Sequence, residues 1–441
     1  MKDPHQAEAM TVIESACGGH ANPFAVSAFL RATRTRQIVV TTDIVDDRGV
    51  RVWGRNEPLS GASQHHFVSS ALRQPLEVCL QAEDGVSTAD LLREADALLS
   101  GSGPLESGVR PWARDVMAHL KALPLHGVAQ LLLTTSESMD AGNLAHAVEA
   151  MVLAGAMALS VGASRDEVAL ALLGGLLHDV GELYVDPGYL APPVSSHAAQ
   201  GAFGHRDLVA HPRIGARLIA GLMDYPPALA RAVGEHHERC DGSGYPERAA
   251  SPDLSALGQR LGAVEFMAEV LRSGRPAPWS RICLGLSLVP GEFDVASLAF
   301  ARRAARAAGE SPELPLADAS RGVRLERQRI VARIDAGLQM AWQLVRLSSS
   351  PQVCACAANV VNLLERLAVA SGGCGHRLTW GAERDADLFD VQVGNEALNE
   401  RLDVLPRAAT WEGEGLTVVD EQELAPLWAC LEASRVRYVQ A

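Results

Sequence analysis

The stretch Val168-Ala169-Leu170-Ala171-Leu172-Leu173-Gly174-Gly175-Leu176-Leu177-His178-Asp179 decides how this chain reads. An uncharged run ends abruptly in an imidazole and a carboxylate. Ser164-Arg165-Asp166-Glu167 precedes it, a capping box in which the serine side chain and the glutamate satisfy the free N–H groups of a helix start. The run Val168–Leu177 therefore predicts a buried helix. Its end delivers two polar side chains into an apolar interior, where each needs a partner.

Reading outward, the same combination recurs. Leu144, Val148, Met151, Val152, Ala156 and Leu159 repeat at helical spacing around His146. His211-Pro212 places a proline at the start of a helix expected to reach about Met223. A helix over Ala228–Glu238 carries His236 and His237 and is stopped by Cys240-Asp241-Gly242. Another over Leu257–Leu271 carries Glu265 and ends before Gly274-Arg275-Pro276. Residues 130–310 thus read as an all-α bundle.

Seven possible ligands sit on these helices: His146, His178, Asp179, His211, His236, His237 and Glu265. A single helical histidine is usually a surface or hydrogen-bonded residue. Five histidines and two carboxylates on apolar helices are better satisfied together by a bound cation. Adjacent ligands point about 100° apart on a helix, so the pairs at 178–179 and 236–237 suit two metals better than one. Mixed imidazole and carboxylate donors suit iron, manganese, nickel or zinc.

The flanks carry less chemistry. Residues 1–125 look mixed α/β: Gln37–Ile44 and Val50–Trp53 flank the turn Asp46-Asp47-Arg48-Gly49 as a hairpin. Leu76–Gln81 reads as a further strand, and Ser87-Thr88-Ala89-Asp90 opens a helix to about Leu99. A small regulatory or docking domain is the expectation. Residues 311–441 are read as a mainly helical region of unassigned role, including an amphipathic helix over Arg327–Leu347. Cys354, Cys356, Cys374 and His376 have irregular spacing for structural zinc, so buried helical thiols are the better reading.

Composition narrows the class. The chain has 441 residues, 39 Lys+Arg against 53 Asp+Glu, and a net charge of −14. That argues against nucleic acid as a partner. The N-terminus lacks the apolar segment of a signal peptide, no apolar run reaches the ~18 residues of a membrane span, and eight cysteines in so long a chain are no disulfide framework. A cytoplasmic location is expected, with no membrane span.

These residues also carry a resemblance. Leu177-His178-Asp179-Val180-Gly181 resembles the signature of the HD hydrolase superfamily. His236-His237-Glu238-Arg239 with Asp241-Gly242-Ser243-Gly244-Tyr245-Pro246 is similar to the second signature of its HD-GYP family. The resemblance spans roughly residues 130–305. It implies an HD-type helical bundle with two or three metal ions, usually iron or manganese, that hydrolyses cyclic di-GMP to pGpG and, by a second cleavage, GMP. By the same resemblance the seven residues above are the metal ligands, with Asp179 bridging. Asp179 and Glu182 fall at catalytic positions. Arg275, Gly244, Tyr245 and Pro246 fall where the family meets substrate, Arg275 gripping a phosphate.

The chain departs from that pattern. Glu182 stands where the family usually has lysine, and Glu265 where it has aspartate. Ala277-Pro278 follow Arg275-Pro276 where a second basic residue is usual. Gly142 replaces the glutamate of three-metal members, which favours two metals. The alternative function is a non-catalytic cyclic di-GMP receptor or scaffold that docks a diguanylate cyclase or another signalling protein. A hydrolase of another phosphodiester is a third reading, against which the Gly-Tyr-Pro loop counts.

Overall fold

A computed structural model describes residues 19–59, 61–186, 202–310, 320–371, 392–399, 401–402, 405 and 416–431. The chain forms two compact units. The first holds residues up to Arg239 together with Tyr245–Arg272, and the second holds Cys240–Gly244 and the chain from Ser273 onward.

The first unit begins with short antiparallel strand pairs. Gly19–His20 pairs with Ala71–Leu72, and Ile38–Val40 with Leu80–Ala82. The hairpin expected between Gln37–Ile44 and Val50–Trp53 forms only at its turn end, between Ile44–Val45 and Arg51–Trp53 with Ile44 opposite Trp53, because Ile38–Val40 pairs elsewhere. Asp46 makes its turn, accepting from the N–H groups of Arg48 and Val50 at 3.0 and 2.7 Å. One expectation is corrected here. Leu76–Gln81 is not a continuous strand: Leu76–Cys79 is a helical turn and the strand starts at Leu80. Pro75 starts that turn and only Leu80–Ala82 pairs as a strand, while the Cys79 carbonyl still accepts from the Thr41 N–H at 2.9 Å.

Helices follow. Ser87 and Asp90 form the capping box of Thr88–Leu99, and Ser164 and Glu167 that of Arg165–Leu177. Helical structure starts earlier than the sequence pattern suggests, at Pro104–Val109, Ala113–Leu120 and Gly127–Met139. Ala141–Ser160 packs along Arg165–Leu177 at close range. A Cβ on Gly175 would lie 2.4 Å from the carbonyl oxygen of Ala150, so this crossing requires glycine. His211 is also corrected in context. Its helix runs over Ala202–Leu222 with Pro212 inside it, rather than starting at the proline. A proline removes one N–H bond and crowds one carbonyl, a local cost that an extended packed helix can absorb.

Two helices, Ala141–Ser160 and Pro351–Ser371, are long and apolar enough to cross a membrane, contrary to the expectation that no segment would be. The decisive window of the first is 67% buried within the protein and it carries His146, as a core helix does.

The second unit is helical, with Pro278–Leu288, Val295–Ala307, Ser320–Leu347, Pro351–Ser371, residues 392–399 and Val418–Leu431. Its core joins Ile330, Ile334, Val353, Val360, Leu364, Leu398 and Leu427. Cys356 lies in that core and the Cys354 thiol reaches the Ser348 carbonyl at 3.5 Å, as helical thiols do. Cys374 and His376 lie outside the described residues.

Candidate metal centre

The seven sequence-derived ligands converge in the first unit, and they converge as two groups. His146, His178, Asp179 and Glu265 form one, and Asp179, His211, His236 and His237 the other. Within each group the ligand atoms lie within 4.8 Å of one another. Asp179 belongs to both, one oxygen facing each. Its Oδ2 is 3.0 Å from His178 Nε2 and 3.3 Å from His146 Nε2. Its Oδ1 is 3.5 Å from both His211 Nε2 and His236 Nε2. A carboxylate divided in this way is the geometry of a bridge.

Each ligand arrives for a local reason. His178 caps the C-terminal end of Arg165–Leu177, and Asp179 follows as the chain leaves the helix. His236 and His237 follow Pro227–Glu235 in the same manner. His146, His211 and Glu265 project from helix interiors. Helix ends supply adjacent ligands because the backbone can turn there. Helix interiors supply one ligand each.

The hydrogen-bond pattern fixes which ring nitrogens face inward. His178 Nδ1 lies 2.8 Å from the Gly175 carbonyl and His236 Nδ1 2.6 Å from the Val233 carbonyl. A carbonyl only accepts, so these nitrogens carry the protons and each Nε2 is left with a lone pair. That is how backbone carbonyls orient metal-binding histidines. His178 Nε2 then meets His146 Nε2 at 3.1 Å and Glu265 Oε2 at 3.2 Å. His211 Nε2 and His236 Nε2 stand 3.2 Å apart. Such distances equal the edge of a coordination polyhedron whose bonds are about 2.1 Å long. Acceptors gathered this closely in a buried site demand positive charge between them. The donor set fits a divalent ion in each group.

Protonation behaviour agrees. Burial works against charge on His178, yet Asp179 and Glu265 outweigh it and hold the imidazole well above its ordinary range, so in the metal-free centre its Nε2 takes a second proton where a bound cation would use the lone pair. Burial opposes ionisation of Asp179 and Glu265 too, but the neighbouring histidines keep both well below the ordinary carboxylate range. His236 and His237 are pushed down, chiefly by burial, and His237 strongly so. They are therefore neutral and free to donate to a metal.

Glu182 sits in the turn Val180–Tyr184 that follows Asp179. Burial, then the negative charge of Asp179, push its carboxyl up to about 7. Because the folded value exceeds the ordinary 4.5, ionising Glu182 opposes folding, and the stability it gives below pH 4.5 is lost as pH rises through 7. Metal-free Glu182→Gln should thus be increasingly more stable than the parent from pH 5 to pH 8. Thermal melts in chelator at both pH values measure it, and parallel profiles would show that Glu182 ionises freely in the fold.

The remaining sequence-derived residues divide between the units. In the first unit the Tyr245 ring stacks on His237 with centroids 4.5 Å apart and 21° between planes. The Pro246 carbonyl accepts from Arg213 at 3.4 Å. In the second unit, Gly244 closes the segment Cys240–Gly244. There Asp241 accepts from the Ser243 hydroxyl at 2.6 Å and pairs with Arg366. Arg275 also belongs to the second unit, where Glu396 faces it at 3.3 Å and pairs with Arg281 as well.

Two residues lie within the quoted motifs, but the sequence assigns them no role. Glu238 is buried and its Oε1 accepts from the Glu247 N–H at 2.5 Å, tying down the chain beyond Pro246, while burial raises its carboxyl to about 7. Gly181 packs against the backbone of the His211 helix, where a Cβ would lie 2.1 Å from the His211 carbonyl oxygen. Neither role is visible without knowing what lies opposite.

Residues 143–263 match the family described as HD domain. That segment is similar to an HD domain. It holds the seven converging ligands but for Glu265, two residues beyond its limit. The helical architecture and the donor set of the segment accord with that match. The chain is similar to a cyclic di-GMP phosphodiesterase of Pseudomonas aeruginosa, with 31% identity over 37% of this chain and 39% of the relative. It is also similar to the cyclic di-GMP phosphodiesterase response regulator RpfG of Xanthomonas campestris pv. campestris, with 30% identity over 32% of this chain and 36% of the relative. The chain thus spans less than two fifths of the length of either curated relative. No solved structure matches it.

Proposed function

We propose that this chain is a metal-dependent phosphodiesterase that hydrolyses cyclic di-GMP to pGpG, and pGpG further to GMP. The observation that carries the reading is the pair of ligand groups sharing Asp179, beside a Tyr245 ring stacked on a ligand histidine. The similarity to two cyclic di-GMP phosphodiesterases supports the substrate.

His146, His178, Asp179 and Glu265 would hold one divalent ion, and Asp179, His211, His236 and His237 the other, with iron or manganese the metals that the family resemblance implies. Bound there, two such ions supply the positive charge that a diester dianion needs in an acidic protein, and acidify water to give a nucleophile near neutral pH. The protein's own groups do the rest. Glu182, in the turn directly after Asp179, would take the proton of the attacking water and return it to the leaving oxygen. Tyr245 offers a flat face to a guanine base, and Gly244 and Pro246 set the path of its loop. Arg275 keeps in this reading the phosphate-gripping role that the resemblance implies for it. Residues 1–125 act as the regulatory or docking region, and the chain works in the cytoplasm, where a diguanylate cyclase is a fitting partner. Residues 130–310 are the metallohydrolase region in this reading, and residues 311–441 keep no assigned role.

A second reading rests on Glu182 and Ala277, which remove two cationic groups from the expected phosphate site. It makes the chain a cyclic di-GMP receptor or scaffold. One experiment separates the two. Protein loaded anaerobically with Fe(II) or Mn(II) is incubated with cyclic di-GMP and the products are separated by chromatography. The enzyme reading expects pGpG or GMP, abolished in His178→Ala. Stoichiometric metal with no product leaves the receptor.

A further inference from the structure

The turn Val180–Tyr184, which carries Glu182 directly behind Asp179, is gripped from two sides. On one side Gly181 lies against the backbone of the His211 helix, with no room for a Cβ. On the other side stand residues far away in sequence. The Tyr184 hydroxyl donates to Glu77 Oε1 at 2.6 Å, and the Tyr184 carbonyl accepts from Asn22 Nδ2 at 3.1 Å. All three residues are buried: Tyr184 is 0%, Asn22 2% and Glu77 6% exposed. Asn22 is itself fixed, because its Oδ1 caps the helix Pro23–Ala32 through the N–H groups of Phe24 and Ala25. Glu77 is fixed in the short helix Leu76–Cys79, whose next residues pair as a strand with Ile38–Val40. Both groups lie well outside residues 143–263, the extent of the HD-domain match.

We propose that Asn22 and Glu77 are positioning residues for the metal site, holding the Asp179–Tyr184 turn in place through Tyr184. The N-terminal α/β segment is then a structural part of the centre. Buried hydrogen bonds that arise more than a hundred residues away fix where Glu182 and the Asp179 backbone stand. A displacement of the Leu76–Cys79 helix reaches Glu182 through a single side chain. The physical basis is that a short turn has few bonds of its own, so its position depends on what its ends are tied to. Groups bonded directly to a metal ligand change affinity by about 10- to 100-fold when removed, so a tie one step further out is expected at the lower end of that range.

The inference rests on the metal-centre reading, and the test keeps the two separable. Full-length protein, its metal removed, is titrated with Mn(II), recording stoichiometry, affinity and the electron paramagnetic resonance spectrum. The parent is compared with Glu77→Ala, Glu77→Gln, Tyr184→Phe and Val40→Ala. Positioning predicts that Glu77→Ala and Tyr184→Phe weaken at least one Mn(II) site about tenfold and change its spectrum. Glu77→Gln, whose amide oxygen still accepts from the tyrosine, should stay close to the parent. Val40→Ala removes buried volume from the same strand region without touching the turn, so it should lower the melting temperature and leave Mn(II) binding alone. Tyr184→Phe is the milder change and decides the matter if Glu77→Ala does not fold. Parental affinity and spectrum in Tyr184→Phe would overturn the positioning role. So would equal weakening in Val40→Ala, which would mean general destabilisation. A parent that binds no Mn(II) would instead overturn the metal centre itself, and the positioning role with it.

Discussion

Asp179→Ala is expected to empty both metal sites at once and to lower cyclic di-GMP hydrolysis by more than about 10³-fold, since without metal the attacking water returns towards its ordinary pKa. The basis is the division of its two oxygens between the ligand groups, Oδ2 towards His146 and His178, Oδ1 towards His211 and His236. The informative contrast is Glu265→Ala. Glu265 touches only the first group, at 3.2 Å from His178 Nε2 and 3.4 Å from His146 Nε2. That variant should lose one ion and keep the other. Metal analysis by mass spectrometry, with both proteins reconstituted alike, gives the answer directly. Equal metal loss in the two variants would mean that the groups do not bind independently and that the bridge is not where the geometry puts it. Full metal content in Asp179→Ala would remove the aspartate from the ligand set.

Gly181→Ala should be among the most damaging small substitutions in the protein. The added methyl would sit 2.1 Å from the His211 carbonyl oxygen and 2.8 Å from the Gly215 amide nitrogen. Both are backbone atoms in the middle of a helix, so neither can rotate away as a side chain would. Either the turn or the helix must move, at a cost of about 3 kcal/mol, the upper end for overpacking in a well-packed interior. Chemical denaturation measures that cost. The movement also separates Asp179 from His211, so weaker metal binding should accompany the lost stability. A loss below about 1 kcal/mol with metal binding intact would show that the turn has slack here.

How much of this was legible beforehand depends on the range of the interaction. The helices over Thr88–Leu99 and Arg165–Leu177 were readable to within a few residues because their caps and apolar spacing are written locally. The ligand set was readable because histidine and carboxylate on apolar helices have few other ways to be satisfied. Leu76–Gln81 was misread because its six residues suit a strand by composition, while only Leu80–Ala82 meets a partner. The helix of His211 was started too late because proline is favoured at helix starts, and here longer-range packing carries the helix past it.

The sequence by itself determined which side chains are candidates to bind metal and that they belong to a helical region. Those properties follow from residue type and from spacings of a few residues. Only the tertiary structure decided that the ligands form two groups around one carboxylate, that Gly181 admits no side chain, and that Asn22 and Glu77 hold the turn behind Asp179. The physical reason is common to all three. Each depends on atoms brought together from distant parts of the chain, and no local propensity records what a side chain or a missing Cβ will face.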